Sequence, residues 1–169
     1  KALLDDITKL DVDAIVNATN SSLLGRSCAD GAIHLADGSE HVHKMQTPGR
    51  LQGGVAKLAQ SYKLPAKYII PTAGPIWNGG SENKDDLLGS CYVGSLKIAE
   101  NYNDIASIAF PYISTGNFSF LPDRAATIAV DACKETVLDT VFCCFSEETQ
   151  NDILRRYVRN LPKDVIEEL

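Results

Sequence analysis

Two short polar runs in this chain carry side chains suited to catalysis or to holding an anion. In the first, Asn17 and Asn20 follow the apolar run Ala14-Ile15-Val16, and Gly25-Arg26-Ser27-Cys28-Ala29-Asp30-Gly31 leads on into a helical stretch. In the second, Ser114-Thr115-Gly116-Asn117 follows an apolar run over 107–113, again ahead of a helix. Loops of this kind turn unpaired backbone N–H groups toward an anion, and the helix that follows adds its dipole. Two of them suggest two phosphates, hence a nucleotide diphosphate, held without cationic side chains. Asp30 and His34 are four residues apart at a helix start, so they share a face. Beside a phosphate, such a pair can position or deprotonate a water. An Asp favoured by the helix dipole and a His packed on a sheet explain the same spacing, and on spacing alone this plainer explanation is preferred.

Those loops need a frame. Ala14-Ile15-Val16, Tyr68-Ile69-Ile70, residues 107–113 and residues 140–145 read as strands. Apolar residues at 87, 88, 91, 92, 96 and 99 predict a helix over 85–101. Further helices are expected at 31–36, closed near Gly38, from 122 or 123 to 138, and at 147–158. Pro122 suits a first helical turn, where its missing donor costs nothing. Strands alternating with helices predict an α/β fold, a layered sheet with helices on both faces. In such sheets ligands bind beyond the carboxyl ends of the strands. With no repeat or linker, residues 1–169 are expected to form one domain, 161–169 being a surface tail.

Composition limits the classes of function. At 169 residues, 44 % hydrophobic and 22 % charged, the chain is neither collagen-like, nor a coiled coil, nor wholly disordered. No apolar run approaches the ~18–20 residues of a membrane helix. The opening residues lack a signal-peptide core, although residue 1 is not Met, which leaves open a leader removed before it. Sixteen basic against 22 acidic residues, a net charge of −6, speak against duplex nucleic acid as a partner. Five cysteines without framework spacing read as buried thiols in a reducing, cytoplasmic compartment. Cys143 and Cys144, adjacent in a strand, are expected to point to opposite faces.

The stretch Asp5-Asp6-Ile7-Thr8-Lys9-Leu10, followed by Asp13-Ala14-Ile15-Val16-Asn17-Ala18-Thr19-Asn20-Ser21-Ser22-Leu23-Leu24-Gly25, resembles the opening of a macrodomain. Asp30-Gly31-Ala32-Ile33-His34, Leu64-Pro65-Ala66-Lys67-Tyr68-Ile69-Ile70, and residues 107–116 with Phe118 match the same family in order and spacing. The likeness covers about residues 3–158 and is nearest to the MacroD-type ADP-ribose hydrolases. It implies a three-layer α/β/α macrodomain-like fold with a mixed, largely parallel central sheet, and a cleft for ADP-ribose. By that resemblance Asp6 accepts from the adenine amino group with the backbone amide of Ile7 beside it, and Phe145 stacks on the ring. Ser114, Thr115, Gly116, Asn117 and Phe118 wrap the diphosphate, Phe118 lying against the distal ribose. Asn20 hydrogen-bonds that ribose, and Asn17 fixes the loop and the substrate, the two forming the catalytic set with Asp30 and His34. Asp30 orients or activates the attacking water, with His34 in support and a ligand phosphate sharing the role of base.

The chain departs from the family in several places. Arg26-Ser27-Cys28-Ala29 replaces a run of glycines, Leu35 stands for an Arg and Asp37 for an Ala, and Leu51-Gln52-Gly53-Gly54 replaces a Cys-x-Thr-Gly pattern. Arg26 either bonds a phosphate or swings to solvent. Pro71 stands where His is frequent, and it removes a ladder donor, so strand pairing there should weaken or leave an edge free. A zinc site on Cys28, Asp30 and His34 is set aside for want of a ligand arrangement. The implied activity is hydrolysis of ester-linked mono-ADP-ribose on acidic side chains, or of O-acetyl-ADP-ribose, without metal or other cofactor. The implied partners are ADP-ribose and mono-ADP-ribosylated proteins, with no membrane, the chain acting as a monomer. A reader that binds ADP-ribose without cleaving it is the alternative, and an RNA-binding module the remote third.

Overall fold

Six strands form one sheet in the order β1-β6-β5-β2-β4-β3. They are β1 (Ala2–Leu4), β2 (Ala14–Thr19), β3 (Ala59–Gln60), β4 (Tyr68–Ala73), β5 (Ser107–Pro111) and β6 (Asp139–Cys144). All neighbours pair in parallel except β3, which runs antiparallel to β4 at the edge. This computed structural model describes residues 1–19, 28–38, 56–80 and 83–159. Asn20, Arg26, Ser27, the 51–54 segment and the 161–169 tail therefore lie outside the described residues.

The period-two alternation of β2, β4, β5 and β6 builds two cores. Ala14, Val16, Ile70, Ile108, Phe110, Phe142 and Cys144 face α2 (Lys84–Glu100), α3 (Pro122–Cys133) and α4 (Glu147–Arg159). Ile15, Ile69, Ala109, Val141 and Cys143 face the other way, with Ile33 of α1 (Cys28–Asp37) and with Ile7 and Leu10 around a short 3-10 turn at Ile7–Lys9. The result is the three-layer α/β/α arrangement with a mixed, largely parallel sheet. Cys143 and Cys144 point to opposite faces as expected, and burial pushes the Cys143 thiol up to about 11, so it stays neutral. The described cysteines 91, 133, 143 and 144 are all free thiols. No helix of the described residues is long and apolar enough to cross a membrane.

Several boundaries differ from the sequence expectation. The first helix begins at Cys28 rather than 31, and α3 ends at Cys133, five residues short of 138. Val137, 91 % exposed, has nothing to pack against and could not have extended an amphipathic helix. β5 ends at Pro111, because Ser114 adopts a left-handed φ of 65° and turns the chain, leaving Tyr112 and Ile113 buried beneath the turn. β6 runs over 139–144 and leaves Phe145 just beyond its end.

Pro71 weakens only one side of its strand. β2 pairs with β4 through Asn17↔Pro71 to Thr19↔Ala73, whereas β3 pairs with β4 only at Ile69 and Tyr68. The Pro71 carbonyl accepts from Lys57 N–H at 3.2 Å, so its missing N–H faces that same edge. Asp37, buried in the last turn of α1, lies at the end of a helix that disfavours negative charge. It is held there by Ser61 Oγ (3.1 Å) and by the N–H groups of Tyr62 (2.6 Å) and Lys63 (2.8 Å). Leu35, on the same helix, is 88 % exposed.

Candidate functional site

The carboxyl ends of β1, β2, β4, β5 and β6 open on one cleft of about 270 Å³. In an open α/β sheet this is the end where loops leave unpaired backbone groups and ligands bind. Of the residues expected to bind ligand, Asp6, Ile7, Ser114, Gly116, Asn117, Phe118 and Phe145 line it. Phe145 is 68 % exposed, which rules out a plain core role.

Asp6 arrives where β1 gives way to the 3-10 turn, and it caps that turn. Its Oδ1 accepts from Thr8 N–H at 3.0 Å and Thr8 Oγ1 at 2.7 Å, and its Oδ2 lies 3.4 Å from Lys9 Nζ. The Thr8 hydroxyl, then the Thr8 amide and Lys9, hold this carboxyl below the usual range, so it is an acceptor at neutral pH.

The second polar run folds back on itself. Phe120 N–H donates to Ser114 O and Ser119 N–H to Gly116 O, both at 2.9 Å. The N–H groups of Gly116, Asn117 and Phe118 donate to no described residue. Three successive free donors on a cleft wall are the backbone's equivalent of a cation. A Cβ on Gly116 would meet no protein atom within 4 Å, so the protein itself places no demand for glycine there. Thr115 is turned away from the wall, its hydroxyl donating to Tyr112 O at 2.8 Å.

Behind another part of the wall, formed by Ala18, Thr19, Ala29 and Ala32, lies a buried polar network. Asp30 and Asn17 are both 0 % exposed. Asp30 Oδ1 accepts from Asn17 Nδ2 at 2.8 Å and from His34 Nε2 at 2.9 Å, and its Oδ2 accepts from Thr19 Oγ1 at 3.0 Å. Burial alone would push the Asp30 carboxyl up. The bonds from His34, Asn17 and Thr19 outweigh it and hold the carboxyl below its usual range, an ion throughout the physiological interval. The structure thus brings Asn17, Asp30 and His34 together, while keeping all three off the cleft lining. Asn20 and the Cys28 side chain lie outside the described set, and no group of three metal-ligating side chains occurs among the described residues.

Thr19, Gly74, Asp5 and Cys143 also line the cleft, although none of them has a site role among the sequence expectations. Thr19 was within reach, since two residues after Asn17 in a strand means the same face. No local signal marks the others.

A macro domain family model matches residues 16–129. A macro domain-containing protein of Mesorhizobium japonicum is 48 % identical over 159 residues, 89 % of this chain and 88 % of that relative. The ADP-ribose glycohydrolase MACROD2 of Xenopus laevis is 42 % identical over 167 residues, 94 % of this chain but 40 % of that protein. The structure of an Oceanobacillus iheyensis macrodomain mutant with ADPR superposes with a TM-score of 0.87 at 33 % identity, over 98 % of this chain and 92 % of that one. With the family model, these relatives and the six-stranded sheet in agreement, the chain belongs to the macrodomain family.

Proposed function

We propose that the chain binds ADP-ribose in this cleft and hydrolyses esters of its distal ribose, freeing acidic protein side chains or acetate. The observation that carries the reading is the shared lining: Asp6, Ile7 and Phe145 meet the 114–118 wall in a single cleft. A relative named as an ADP-ribose glycohydrolase and a neighbour solved with ADPR add support.

In this reading Asp6 accepts from the adenine amino group with the lone pairs that Thr8 and Lys9 leave, beside the Ile7 amide, and Phe145 stacks on the ring. The free N–H groups of 116–118 hold the diphosphate, with Ser114 and Thr115 shaping their turn and Phe118 against the distal ribose. Asn20 bonds that ribose, and Asn17 ties the end of β2 to α1. Asp30, fixed by its three donors, orients the water. A ligand phosphate oxygen takes a proton from the water as the water oxygen bonds to the ester carbonyl carbon. The bond from that carbon to the ribose oxygen then breaks, the ribose oxygen takes the proton back as a hydroxyl, and the acid is freed and ionises. Holding ester and water together lowers the entropic part of the barrier, and hydrolysis calls for no redox cofactor.

One feature favours a second reading, a binder that does not cleave. The Asp30 carboxylate is 0 % exposed and already accepts from three protein donors. The test uses a protein mono-ADP-ribosylated on glutamate. Wild type should release ADP-ribose, and Asp30→Ala should slow release at least about 100-fold while still binding ADP-ribose by calorimetry, a loss typical of a group needed in the transition state. Binding without release by wild type would select the reader, and absence of binding would overturn both.

A further inference from the structure

The turn that follows β4 meets the cleft wall at Gly74. Its backbone does not demand glycine: the described glycines with positive φ are Gly38, Gly79 and Gly80. What forbids a side chain at 74 is space. A Cβ there would lie 2.2 Å from Ser114 Oγ and 2.8 Å from Ile113 Cγ2, closer than such atoms approach. The missing side chain leaves a notch, and the Ser114 hydroxyl fills it.

Ser114 is costly to the protein in two independent ways. It holds a left-handed φ of 65°, which a side chain disfavours. Its Oγ is buried with no hydrogen-bond partner among the described residues. Both costs fall on the residue that opens the run bearing the free N–H groups of 116–118. Ser119, at the far end of the same turn, also holds a left-handed φ of 55°. Among the described residues, only at Ser114 does such a φ coincide with a buried, unpartnered hydroxyl on the cleft wall. Strain of that kind at a ligand wall marks a conformation kept for its use.

We propose that Gly74 is a positioning residue. Its notch seats Ser114 in the left-handed turn, and that seating aims the 116–118 amides into the cleft. The identity of the ligand rests on the ADP-ribose reading above, but the seating does not. The chain's single tryptophan gives a reporter of it without ligand. Trp77 N–H donates to Phe118 O at 2.9 Å, and its ring centroid lies 4.7 Å from that of Phe120.

The experiment compares Gly74→Ala, Ser114→Gly and the double variant, with thermal melting to establish that each folds. Gly74→Ala drives its methyl group into Ser114 Oγ. It should weaken ADP-ribose about 30-fold and shift Trp77 emission in the free protein, a coupling ordinary for residues in contact. Ser114→Gly removes the obstructing hydroxyl and tolerates positive φ, and should weaken ADP-ribose only about threefold. The double variant should bind no worse than Ser114→Gly and recover the wild-type emission, the Ile113 methyl rotating aside. A double loss equal to the product of the two single losses overturns the proposal, as does wild-type binding and emission in Gly74→Ala. Should Gly74→Ala fail to fold, Ser114→Gly against the double variant still decides: equal affinity supports the seating, a further loss overturns it. If wild type binds no ADP-ribose, the ligand reading fails by itself, and the emission series alone upholds or overturns the notch.

Discussion

Two aspartates at opposite poles of the sheet show how partners rather than position decide what a carboxylate does. Asp30 at the cleft end is buried yet ionised, because three donors converge on it. Asp13, ahead of β2 at the far end, meets Lys67 Nζ at 2.9 Å, Ala106 N–H at 2.9 Å, and the amide and hydroxyl of Ser107 at 3.0 and 2.9 Å. The Lys67 bond, then these amides and hydroxyl, hold the Asp13 carboxyl down at about 2. A depressed carboxyl stabilises the fold above its unfolded pKa, and that stability drains away as pH falls through the folded value. Asp13→Asn should therefore cost about 1 kcal/mol at neutral pH after allowance for solvent screening. In urea titrations that difference should shrink between about pH 4 and pH 2, and a difference constant with pH would contradict the linkage. Sequence spacing made Asp30 and His34 a pair, but Asn17, thirteen positions from Asp30, joins them only because β2 and α1 fold together. Gly74 was illegible for the same reason: what needs its bareness is a hydroxyl forty positions away.

At the scale of elements, long patterns were legible and short ones were not. The apolar spacing of α2 and the Pro122 start of α3 are local, and both helices stand where the pattern puts them to within a residue at the start. β1 has three residues and β3 two, too few for any period to show, and their existence depends on the partner strand. Strand order is likewise non-local: nothing in Ala2–Leu4 announces that it pairs with β6, some 140 residues on. Asp37 reads as an oddity at a helix end until the 61–63 segment folds over it. Asp37→Ala should orphan three donors and destabilise the protein by roughly 2–3 kcal/mol. Chemical denaturation would check this, and a change under about 0.5 kcal/mol, the range of a plain surface site, would contradict it.

Across the whole molecule, the net charge of −6 and the cleft lining agree. The described lining holds Asp5 and Asp6 and no Lys, Arg or His. A diphosphate gripped there by N–H groups exchanges few counterions, so salt has little to screen. Affinity for ADP-ribose should change by less than about threefold between 50 and 500 mM salt, whereas exposed cation–phosphate contacts are screened over such a range and lose more. Calorimetry at the two concentrations decides it, and a tenfold fall would bring Arg26 into the site. Asp30 and Asp37 are seven residues apart and therefore on one face of α1, the first fastened to β2 and the second to the 61–63 segment. A helix bolted at both ends cannot slide or tilt to make room. α1 thus serves as a fixed jaw, and a bulkier guest must be accommodated by movement of some other part of the rim.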